Sequence, residues 1–125
     1  MALNVSEGRL LSNFSRSTLL RVGRLLNPGK ASGHLARLAE CAGTTRKTIR
    51  NWSAETSDPQ FRAMSGTAKR AVAVLAYFAL TGQLTRERME DVITLEQAME
   101  DDRRFERLAA RITQLLEEEK KNADE

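Results

Sequence analysis

The chain has 125 residues, 41% of them hydrophobic and 30% charged, with a formal net charge of +3. That length supports one core with an appendage rather than two large domains, and the longest apolar run, residues 71–80 (AVAVLAYFAL), falls well short of the roughly 20 residues a membrane-spanning helix needs. A single cysteine, Cys41, and a single histidine, His34, exclude an internal disulfide and a Cys/His metal cluster and remove the commonest general base, so the sequence reads as that of a non-enzyme needing no cofactor.

Sustained period-two alternation is absent and helical spacing is everywhere, which predicts an all-α fold, a small helical bundle. Residues 15–27 (SRSTLLRVGRLLN) set Leu19, Leu20, Val22, Leu25 and Leu26 near one face, and Pro28 with Gly29 ends that helix. Ser32 is expected to cap the next helix, which carries Leu35, Leu38, Ala39 and Ala42 on one stripe and stops at Gly43. Thr44 or Thr45 offers the cap of a third, with Ile49 and Trp52 inward and its end before Ser53. Asp58 and Pro59 read as an N-cap and first-turn proline of a short helix through Phe61 and Met64. Residues 65–67 (SGT) recap the chain for a helix from about Ala68 to Thr81, closed by Gly82; its apolar residues cover more than one face, which makes it the centre of the core or half core and half subunit interface.

Beyond Gly82 the side chains become long and charged. This region reads as one long or two consecutive helices, with Thr94 and Gln97 forming a capping box at the division. Phe105, Leu108, Ile112 and Leu115 follow a 3, 4, 3 spacing that marks an oligomerisation seam, a short coiled coil or a helical hairpin. The acidic run Glu100–Asp102 points in different directions on a helix and has no convergent partner for a metal; residues 27–33 (NPGKASG) lack the spacing of a phosphate loop.

The charge is unevenly spread. Residues 1–80 carry 12 Lys+Arg against 4 Asp+Glu, leaving +8, whereas residues 81–125 carry 8 against 13, leaving −5. A basic front meets a polyanion, and an acidic back is solvated, self-associates or takes another protein partner. The first residues lack a charged flank followed by an uninterrupted apolar stretch, so no export signal is read and the expected compartment is the cytoplasm.

Residues 35–54 (LARLAECAGTTRKTIRNWSA) lie within the basic part. A helix-turn-helix that reads DNA needs small residues where its two helices cross, a glycine at the turn, and a second helix anchored by a few apolar positions while its first two turns face the major groove. Leu38 and Ala39 supply the inward pair, Ala42 the close contact, Gly43 the turn, and Ile49 with Trp52 the anchor. Thr45, Arg46, Lys47, Arg50 and Asn51 remain outward as base-reading candidates, since Arg and Lys pair with guanine O6/N7 and Asn with adenine N6/N7. Lys30, His34, Arg37, Arg62, Lys69 and Arg70 are the candidates for DNA phosphate contacts at the rim.

This stretch resembles the helix-turn-helix regulators of the phage Cro and repressor type, common in phages and plasmids. Their twenty-residue pattern asks for apolar residues at places four, eight, fifteen and eighteen, Ala at five and Gly at nine; Leu38, Ala42, Ile49, Trp52, Ala39 and Gly43 stand there. Thr44 departs from the aliphatic residue the family usually places after the glycine. The resemblance covers residues 15 to 81 and implies a DNA-binding domain over 1–82, followed by an acidic helical tail over 83–125 for oligomerisation or partner binding. It implies double-stranded DNA as the partner, a homodimer or DNA-assembled oligomer, no membrane, and a repressor of a plasmid or phage. Two alternatives remain at the level of sequence: a plasmid stability or partition protein on repeated DNA sites, and a helical protein–protein adaptor whose basic hairpin is merely solvated.

Overall fold

A computed structural model describes residues 13–124. Among these the protein is all-helical: α1 (Arg16–Leu25), α2 (His34–Ala42), α3 (Arg46–Ser53), α4 (Gly66–Leu80), α5 (Arg86–Ala98) and α6 (Asp102–Ala123). The chain divides into two compact units between Gln83 and Leu84.

In the first unit the apolar stripes of α1, α2, α3 and α4 converge. Leu19, Leu38, Ile49 and Val72, one from each helix, are the largest fully buried side chains, and Val22, Leu26, Ala39, Cys41 and Met64 fill in around them. At about 25 cal/mol per Å² of apolar surface, this burial is the main favourable term in the unit. Ser15 caps α1 by accepting the Thr18 backbone N–H at 3.1 Å, Thr45 caps α3 through Thr48, and Ser65 caps α4 through Ala68. Gly43 ends α2 with φ of 70°, and the Thr44 N–H folds back to the Ala39 carbonyl at 2.9 Å, the left-handed turn that lets α3 leave α2 sharply.

Gly23 sits in the middle of α1 for a different reason. A Cβ built there would lie 2.3 Å from the His34 carbonyl oxygen, so α1 and the start of α2 cross too closely for any side chain.

Several local expectations are corrected. Ser32 does not cap α2: Gly33, with φ of 81°, holds the cap position, no side chain among the described residues caps the helix, and the Ser32 carbonyl instead accepts from the Asn27 side-chain amide at 3.1 Å. No helix forms after Asp58; its carboxylate accepts the Gln60 N–H at 2.8 Å in a turn, and irregular chain follows. So short a segment loses to competing bonds: the Asn13 side chain donates to the Trp52 and Arg62 carbonyls at 3.1 and 2.7 Å and accepts the Met64 N–H at 2.7 Å, holding residues 62–64 beside the end of α3. Trp52 is half-buried rather than core. α4 is not the centre of the core, since Val72 is its one fully buried residue.

The second unit is a two-helix arrangement of α5 and α6. Its helices divide at Met99–Asp101, with Asp101 capping α6 by accepting the Arg103 N–H at 2.9 Å, and not at Thr94, whose hydroxyl donates within α5 to the Glu90 carbonyl. Met89 and Ala98 are its fully buried side chains and none of α6 is buried. Leu108 and Ile112 are half-buried, Leu108 sharing a groove with Thr94 and Ala98, while Phe105 and Leu115 are exposed. Arg88 and Glu119 approach to 3.8 Å, an exposed pair that contributes little. No helix among the described residues is long and apolar enough to cross a membrane.

Candidate nucleic-acid interface

α3 is a short helix with one anchored side. Ile49 is fully buried, Trp52 and Ser53 are half-buried, and the Ser53 hydroxyl donates to the Ile49 carbonyl at 2.7 Å. At 3.6 residues per turn, that anchor puts Arg46 and Arg50 one turn apart on one outer flank and Lys47 with Asn51 on the other. Arg46, Lys47 and Arg50 are exposed, and Asn51 is half-buried. Thr45 is exposed at the helix start, but its hydroxyl is committed to the cap, accepting the Thr48 N–H at 3.2 Å and lying 3.0 Å from the Thr48 hydroxyl. The Arg62 N–H donates to the Asn51 carbonyl at 3.0 Å, which closes the end of α3 against the loop that follows.

Arg46 and Arg50 open onto a groove of about 590 Å³ that they share with Arg16 and Leu20 of α1 and with residues 32–36 at the start of α2. Among the described residues three guanidinium groups line it and no carboxylate does. α2 begins without a side-chain cap among the described residues, and its first residues line this groove, which puts the positive end of the helix dipole at its edge. Arg16, Arg21 and Arg24 continue the positive surface along the outer face of α1. These three arginines were not among the candidates read from the sequence. Their signal lay in helical phase, which sets Arg21 and Arg24 on the side of α1 away from Leu19, Val22 and Leu26 and Arg16 on its flank.

The rim candidates divide. Lys30, Arg62 and Arg70 are exposed and Lys69 is half-buried. The Arg62 guanidinium folds onto its own loop, donating to the Pro59 and Phe61 carbonyls at 3.0 and 2.7 Å. His34 and Arg37 are corrections, being only 8% and 5% exposed. The Arg37 Nε donates to the Leu26 carbonyl at 2.9 Å and its Nη1 meets Glu40 at 2.8 Å, so this cation braces the end of α1 against α2 instead of facing a phosphate. The His34 Nδ1 lies 3.2 Å from the Asn27 amide nitrogen; that amide has only hydrogens to offer, so Nδ1 is the acceptor and the ring is part of the α1–α2 junction. Both residues carry ordinary signs of a surface cation in the sequence; the close crossing at Gly23 sets His34 against α1, and the bond to the Leu26 carbonyl draws Arg37 in at the end of the same helix.

No family model, no curated protein and no solved structure matches this chain.

Proposed function

We propose that residues 13–83 form a sequence-specific double-stranded DNA-binding module, with α3 in the major groove, acting as a transcriptional repressor of a plasmid or phage. The observation that carries this reading is the groove in which Arg46 and Arg50 of the anchored helix α3 stand beside Arg16 and the start of α2, with no acidic side chain lining it among the described residues. Each group has work to do against a duplex. Arg46, Lys47, Arg50 and Asn51 present donors to base edges, where a good bidentate pair discriminates by about 1–3 kcal/mol. Arg16 and the amino end of α2, flanked by Lys30, suit phosphate oxygens, which fix the register of α3 without carrying sequence information. Thr45 serves this reading as the cap that orients the first turn.

Repression asks only that a bound protein occlude a promoter, and a two-fold dimer would read half-sites about 10–10.5 bp apart. Residues 84–124 are acidic and supply no part of this surface in the proposal. The test is a titration of one duplex between about 50 and 200 mM salt: a binder neutralising several phosphates loses affinity steeply, with log K falling linearly in log salt at about 0.9 per phosphate. A flat response would return the basic hairpin to the solvated surface of an adaptor.

A further inference from the structure

α4 is buried on one side only. After Arg70 its sequence holds no charged residue, yet Val74, Tyr77, Phe78 and Leu80 are 43%, 55%, 39% and 65% exposed. Exposed apolar side chains scattered singly are ordinary; these are contiguous on one helix, which marks a surface with an occupant. We propose that the outer face of α4 is a self-association surface, and that its occupant is α4 of a second copy of this chain, running antiparallel.

The pattern of the face selects that occupant. Arg70, Ala73, Val74, Tyr77, Phe78 and Thr81 are all exposed and recur at helical spacing along one stripe. The stripe is symmetric about the midpoint between residues 75 and 76. Turned end for end, it sets Ala73 opposite Phe78 of the other copy and Val74 opposite Tyr77, a small residue against a large one at every level, as an isologous interface requires. Charge gives the same direction. Antiparallel pairing places each Arg70 at the carboxyl end of the other helix, beside Thr81, where the helix dipole is negative; parallel pairing would set Arg70 against Arg70. Tyr77 and Phe78 already pack edge to face, with ring centroids 5.6 Å apart and planes at 75°, which presents them as one aromatic surface. A single helix face is small beside the roughly 800 Å² per partner of a standard stable interface, so a weak, concentration-dependent dimer is expected.

This inference does not depend on DNA binding, and its test uses none. The full chain is followed by sedimentation equilibrium from about 1 to 300 µM, the span over which a weak interface fills. A concentration-dependent monomer–dimer equilibrium is expected. Tyr77→Glu and, independently, Val74→Lys should move its midpoint at least tenfold higher with unchanged helical circular dichroism, whereas Tyr77→Phe and Leu115→Glu should leave it in place. Arg70→Glu should weaken the dimer. A wild-type chain that stays monomeric throughout, or a dimer that Leu115→Glu dissociates and Tyr77→Glu does not, overturns the proposal; a mixed dimer of wild type with Arg70→Glu that is tighter than the wild-type dimer overturns the antiparallel direction.

Discussion

The two units of this protein spend similar helical sequence in opposite ways. In the first, four short helices each lend one fully buried side chain to a common centre, and the crossing of α1 with α2 is so close that only glycine fits at position 23. In the second, α5 and α6 together contain 35 residues' worth of helix, as 13 and 22, yet bury only Met89 and Ala98. The difference lies in how many directions each apolar stripe is met from. A helix met by three neighbours can hide a whole side chain; a helix met by one hides the near half of each. The first unit therefore anchors the helices that carry its exposed cations, through Leu19 and Ile49, and the second offers a long, charged, weakly anchored surface.

The largest expected effect tests that contrast. Leu38→Ala, at a position with no exposure, should lower stability by about 2–5 kcal/mol, while Leu115→Ala, 52% exposed, should change it by no more than about 0.5 kcal/mol. Denaturant midpoints of the two variants read both numbers, and equal losses would break the comparison. Next in size is Gly23→Ala. Its methyl group has backbone, not a flexible side chain, at 2.3 Å, so helix propensity should lose to overpacking by about 1–3 kcal/mol; a stabilised variant, as propensity alone would give, would show that α1 and α2 do not cross as described. Arg37→Ala should cost about 1–3 kcal/mol through its lost bonds to Leu26 and Glu40 and leave the salt dependence of DNA binding unaltered, which separates a brace from a phosphate contact.

Much of this architecture can be read from the chain. The stripes of α1 and α2, the Thr45 cap and the Gly43 turn are local features, fixed by spacing and by backbone conformations that few residues adopt. What resists reading is set by distant partners. Asp58 and Pro59 carry the signature of a helix start, but the bonds from Asn13, 49 residues from Arg62, hold the following segment in another conformation. Gly23 looks like a helix weakness until His34 is placed against it. His34 and Arg37 share the composition of a basic rim with Lys30, but the Gly23 crossing sets His34 against α1 and the Leu26 carbonyl holds Arg37. In the candidate interface, Arg46, Lys47 and Arg50 are exposed on α3 as helical phase requires, and the same phase keeps Arg16, Arg21 and Arg24 off the core stripe of α1, a signal outside the helix-turn-helix motif.

The proposed function requires α3 to read base edges through its outward arginines. Selection of bound duplexes from a random pool, carried out in parallel with wild type and Arg50→Ala, tests it most directly. The wild type should yield a defined site, and Arg50→Ala, at an exposed position that leaves the fold intact, should lose preference at one base pair, worth about 1–3 kcal/mol, and keep it at the others. A wild-type pool with no enriched sequence, or an Arg50→Ala pool identical to the wild-type one, would contradict the account.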